Sequence, residues 1–153
     1  MLRSLLIFVI LSAAVTAKWD HFEFDVTVFC HFSDRDVYNM VIYWDEVDRW
    51  SRDEHITQTQ SLQPRMGKFS FSQNGAMNGD QILSSGYQPK AVISHDCTSD
   101  RKEVDLEVVL TTLCTPGDTC HYRFIKDLTN QWGVIKTAAD DFKVDMSPFP
   151  DFP

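Results

Sequence analysis

The residues of this 153-residue chain whose types could do chemistry are its five histidines and four cysteines. His31, His95 and His121 stand beside, or two residues from, Cys30, Cys97 and Cys120. Disulfides that gathered the cysteines could gather these histidines around a metal ion. Strand alternation argues against it: a neighbour of an inward cysteine points the other way, so His31 and His121 face solvent. His95 shares the face of Cys97 and is expected as a satisfied, partly buried polar group. The Cys-x2-Cys pairs that build zinc sites are missing, and no metal is expected.

Ser94-His95-Asp96 contains the residue types of a hydrolase triad. Adjacent residues on a strand diverge, so these three cannot act together. The sequence has no Gly-rich phosphate loop, His-Glu-x-x-His motif, calcium loop or Asn-x-Ser/Thr glycosylation site. No catalytic residue and no cofactor are assigned, and the chain is read as noncatalytic.

One group reads as a partner-contact surface. Trp50 stands among Asp45, Glu46, Asp48, Arg49, Arg52 and Asp53 in a stretch without periodicity. An aromatic flanked by arginines, here Arg49, Trp50 and Arg52, is the composition that interface hot spots favour. The competing role for Trp50 is a lid over the end of a folded core. Most of the other aromatics, from eleven Phe, four Trp and four Tyr, are expected to fill that core.

The elements that would position these residues are strands. Phe22, Phe24, Val26, Val28, Cys30 and Phe32 fall on one face of a period-two run, with Glu23, Asp25, Thr27 and His31 on the other. Tyr38, Met40, Ile42 and Trp44 define a second strand. Residues 45 to 66 read as a long excursion with one short strand near Glu54 to Gln60. Gly67 to Ser72 alternates again, and Asn74-Gly75, Asn78-Gly79 and Ser85-Gly86 read as turns. Pro89 to Cys97 and Val104 to Leu110 are further strands, the latter expected to form a hairpin with Cys120 to Phe124. Seven or eight short strands without a convincing helix predict an all-β, antiparallel, immunoglobulin-like sandwich.

Four cysteines permit three disulfide connectivities. Cys114 and Cys120 flank a Pro-Gly turn, which favours a local staple and leaves Cys30 with Cys97. Oxidising surroundings are expected from the N-terminus. Arg3, the apolar run Leu5 to Val15 and the small residues Val15-Thr16-Ala17 have the layout of a signal peptide over residues 1–17. The apolar run is too short to span a bilayer. Residues 18–146 then form one domain, and 147–153, with three prolines, an extended tail. Loss of Arg3 with the signal makes the chain more acidic than its formal charge of −8. Such a surface repels nucleic acid and anionic membrane.

Four landmarks occur in order: Val26 to Cys30, Val41-Ile42-Tyr43-Trp44-Asp45-Glu46, Gly67-Lys68-Phe69-Ser70-Phe71 and Pro89 to Cys97 ending His-Asp-Cys. Together they resemble the secreted nematode transthyretin-like family over about residues 24 to 97. The resemblance implies a transthyretin-like β-sandwich, export from the cell and no established enzymatic activity. His31 to Asp36 departs from the small Gly-rich turn usual there. The hydroxyisourate hydrolases of the same superfamily end in Tyr-Arg-Gly-Ser, whereas this chain ends in Asp-Phe-Pro. The expected function is therefore extracellular binding through a protein surface or of a small apolar ligand. A secreted hydrolase with dispersed His and Asp residues, or a lipid-carrying sandwich, is the alternative.

Overall fold

The computed structural model describes residues 19–47, 52–78 and 86–141. Ten strands run in order: β1 (Trp19–Cys30), β2 (Met40–Glu46), β3 (Glu54–His55), β4 (Gln60–Leu62), β5 (Gly67–Asn78), β6 (Pro89–His95), β7 (Val104–Leu110), β8 (Thr119–Asp127), β9 (Gly133–Thr137) and β10 (Asp140–Asp141). They form two sheets, β10-β8-β1-β5 and β3-β2-β6-β7-β9, with β4 also pairing β2. The described residues contain no helix long and apolar enough to cross a membrane.

The period-two readings hold. Phe22, Phe24, Val26, Val28 and Cys30 are buried on β1, and Tyr38, Met40, Ile42 and Trp44 along β2 and the residues before it. These inward faces meet as opposite walls of a sandwich. Phe24 of one sheet stacks on Trp44 of the other, with ring centroids 4.0 Å apart, and Trp44 meets Phe124 edge to face. Fully burying one such side chain stabilises by about 1.5–3 kcal/mol.

Both expected disulfides are present. Cys30–Cys97 joins the end of β1 to the residue pair after β6, bridging the two sheets, and Cys114–Cys120 closes a short loop. On chain-entropy grounds the long bridge contributes about 4 kcal/mol and the short one about 2 kcal/mol.

Several local expectations are corrected. β7 and β8 are not a hairpin, for they lie in different sheets: β8 runs parallel to β1, and β7 pairs β6 and, in parallel, β9. Leu106, Val108 and Leu110 of β7 and Cys120, Tyr122 and Phe124 of β8 all face the core. Set on opposite walls, the two faces bury each other, which a side-by-side hairpin would not allow. The Pro-Gly segment therefore turns a corner between sheets. Asn74-Gly75 is not a turn but lies inside β5, opposite Phe22 and Glu23. The single short strand near Glu54 to Gln60 is two, β3 and β4, on the same edge of β2.

The aromatic assignment also changes. Trp44 is buried, but Trp19 and Trp132 are 55% and 64% exposed. Trp19 opens β1 on its outward parity, and Trp132 precedes β9, the sheet-edge strand whose Val134 is exposed too. Trp50 and Arg49, the signal segment 1–17 and the tail 147–153 lie outside the described residues.

Candidate functional site

The open side of the sandwich is closed by the chain between β3 and β4. Ile56 and Thr57 donate their backbone N–H groups to the Trp44 carbonyl, at 2.8 and 3.2 Å, and Thr57 Oγ1 accepts from the Trp44 N–H at 3.0 Å. From the other sheet the Ala76 N–H reaches the Ile56 carbonyl at 3.3 Å, and Thr57 and Gly75 form an isolated β-bridge. A Cβ on Gly75 would lie 2.1 Å from the Ile56 carbonyl oxygen, so only glycine admits this approach. That requirement, not a turn, explains the Asn-Gly dipeptide.

The same stitch leaves a groove of about 440 Å³ beside it, lined by Ile56, Thr57, Gln58, Gln60, Gln73, Asn74, Gly75 and Ala76. No lining residue carries a formal charge. Three carboxamides on Gln58, Gln60 and Asn74 offer both donors and acceptors to its mouth. The fourth, Gln73, is committed: its Oε1 accepts the Trp44 indole N–H at 3.1 Å, and its Nε2 donates to the Gln58 carbonyl at 3.4 Å. The groove is thus rigid at its base and adaptable at its rim. Sequence reasoning missed it because its walls come from strands in different sheets.

Arg52, the described member of the expected contact group, is exposed at the start of the segment that builds this wall. Next to it, Asp53 holds Lys90 at 2.6 Å, and Lys90 also meets Glu107 at 3.3 Å. His55 contacts Asp45 at 2.5 Å and packs edge-on against Tyr43. Burial, then the charge of Asp45, raises the Tyr43 pKa.

The histidines beside the cysteines do not gather. His31 pairs with Asp127 at 3.7 Å on an exposed edge. His95 is buried and its Nδ1 accepts the Cys97 backbone N–H at 3.2 Å, but its Nε2 is buried without a hydrogen-bond partner, so the satisfied polar role expected for it is only half met. Burial lowers its pKa, opposed by the Gln131 backbone and the charges of Asp96 and Asp105. His121 faces outward from β8 and meets Asp25 of β1, Nε2 to Oδ2 at 2.7 Å.

Ser72, on β5 opposite Asp25, donates to Asp25 Oδ1 at 2.6 Å. This bond, with His121 next among the favourable contacts, holds the Asp25 carboxyl below its usual pKa. Serine, aspartate and histidine are therefore together, but in the wrong order for nucleophilic catalysis. Both Ser72 and His121 bond the carboxylate, so the imidazole takes no proton from the serine. Ser94, His95 and Asp96 likewise part company: Ser94 bonds Glu103, and Asp96 binds Asn39 through both oxygens at 2.8 Å.

No model of a known protein family matches the chain, and no curated protein does. Among solved structures, an alternative pilotin from the type II secretion system of Vibrio cholerae is similar in chain path, at 12% identity and a TM-score of 0.38, covering 72% of this chain and 96% of that one.

Proposed function

We propose that this protein is a secreted, noncatalytic binding protein of the transthyretin-like type, and that its groove takes a neutral ligand rich in hydroxyl or amide groups. The observation that carries the reading is the uncharged, carboxamide-lined groove of about 440 Å³, within the size range of small-molecule sites. Two disulfides and no free cysteine among the described residues suit an oxidising, extracellular setting. The noncatalytic reading draws support from the Ser72-Asp25-His121 connectivity, which lacks a nucleophile and base pair.

An apolar or lipid cargo is less well supported. Phe24, Trp44, Tyr122 and Phe124 stack across the space between the sheets where such a ligand would sit. Ligand-observed NMR with neutral oligosaccharides and with fatty acids separates the two cargoes. Saturation transfer to the neutral polar ligands, lost in Asn74→Trp, supports the groove. Transfer to fatty acids alone, or transfer indifferent to Asn74→Trp, overturns it. Secretion is tested separately, by recovery of the disulfide-bonded chain from the medium of expressing cells.

A further inference from the structure

The outer face of the four-stranded sheet holds a second constellation, which the groove does not use. Glu23 and Asp25 point outward from β1, and the parallel register sets Glu23 opposite His121 and Asp25 opposite Arg123. Each of Glu23, Asp25 and His121 can place one ligand-type atom within 4.8 Å of those of the other two. The hydrogen bonds then assign their roles. Ser72 fixes Asp25, and the Asp25 carboxylate engages Nε2 of His121, which leaves Nδ1 as the ring nitrogen turned toward Glu23.

That Nδ1 is buried and has no hydrogen-bond partner. Glu23 Oε2 stands 3.9 Å from it, too far for a hydrogen bond. A zinc ion bonds imidazole nitrogen and carboxylate oxygen at ~2.0–2.2 Å each, so a tetrahedral angle sets the two atoms about 3.4 Å apart, and a small rotation of the exposed Glu23 side chain from 3.9 Å admits an ion without moving a strand. A carboxylate on the far ring nitrogen is the support that metal-binding histidines generally have.

We propose that Glu23 and His121, through Nδ1, bind a divalent transition-metal ion of the zinc class, with Asp25 as the positioning residue on Nε2 and Ser72 holding Asp25. One nitrogen and carboxylate oxygen favour zinc or copper(II) over calcium and magnesium, which need six or more oxygens. Glu23, 48% exposed at its side chain, forms the solvent side of the site, against a His121 side chain that is 19% exposed. The site is open, as a site that recruits a ligand group from another molecule would be. It is independent of the groove, so either can fail alone.

The test is isothermal titration of the metal-stripped, disulfide-intact full chain with zinc chloride. One equivalent is expected to bind. Glu23→Gln and His121→Gln should each abolish it, and Asp25→Asn should weaken it ~10–100-fold. His31→Gln, on another edge, should leave binding unchanged. Long-range proton–nitrogen NMR of the unmutated protein gives a readout that needs no variant: zinc should move the His121 Nδ1 resonance while Nε2 keeps its proton. Absence of zinc binding, equal binding by His121→Gln, or metal on Nε2 overturns the proposal.

Discussion

The indole N–H of Trp44 on β2 donates to Gln73 on β5 across the sandwich, at 3.1 Å, where both residues are buried. Gln73 falls on the inward parity of an alternating strand and brings a carboxamide oxygen to the one polar side-chain atom of the largest buried side chain, while its Nε2 donates to the Gln58 carbonyl. Gln73→Leu keeps the volume but strands the indole N–H. The expected cost is about 1–3 kcal/mol, read as a lower urea midpoint with unchanged slope. Equal stability would mean that Trp44 finds another acceptor.

A second buried polar device sits at the opposite end of β1. Asp20 is 3% exposed, accepts the Tyr87 hydroxyl at 2.6 Å through Oδ2, and accepts the Gly117 N–H at 2.6 Å through Oδ1. One carboxylate thereby ties β1 to the residues before β6 and to the corner closed by Cys114–Cys120. Asp20→Ala should cost about 3 kcal/mol, from two charge-assisted bonds lost and the groups they leave unpaired. In a double-mutant cycle with Tyr87→Phe the losses should be less than additive. Strict additivity would show that the 2.6 Å contact contributes nothing.

These two residues show what local sequence could reveal. Phe22 to Cys30 and Tyr38 to Trp44 were legible because alternation is a property of neighbours along the chain. The same parity carries inward to Asp20, so its burial was readable, although a charged residue on a core face invites the opposite assignment. Strand pairing was not legible. β7 and β8 follow each other and alternate alike, yet whether they pair or face depends on which surfaces they cover. The meeting of Asp25 with His121, 96 residues apart, depends on a parallel register that no spacing encodes. The Cys30–Cys97 staple was legible because few pairings of four cysteines suit one short Pro-Gly loop.

Gly75→Ala tests the stitch that closes the groove. The added methyl meets backbone, the Ile56 carbonyl, and neither strand can yield it room as a flexible side chain could. Residues 56 and 57 must then separate from β5, breaking the Ala76 N–H bond to Ile56. The expected result is a loss of about 1–3 kcal/mol and faster amide exchange at Ala76, while the Cys30–Cys97 bridge still forms. Normal exchange there would show that the Ile56 carbonyl can yield to a methyl group on residue 75.

Tyr38 makes a prediction of the opposite sign. Its ring is buried, its hydroxyl has no hydrogen-bond partner, and burial raises its pKa. The hydroxyl is desolvated without compensation, so Tyr38→Phe should leave stability unchanged or raise it by about 1 kcal/mol. A destabilised Tyr38→Phe in urea denaturation would reveal an acceptor for that hydroxyl.

The pH response follows from His95, whose pKa in the fold is depressed below the ordinary 6.5, chiefly by burial. The unfolded chain therefore takes up the proton first as pH falls, and between 6.5 and the depressed value it binds more protons than the native state. Stability is fully present above pH 6.5 and declines as pH drops through that window. The decline has a structural route, because a protonated Nδ1 can no longer accept the Cys97 N–H beside the inter-sheet disulfide. His95→Gln should be less stable than the parent at pH 7.5 but should lose less on acidification to pH 5.5. Urea midpoints for both proteins at the two pH values measure this, and parallel losses would assign the acid response to other groups.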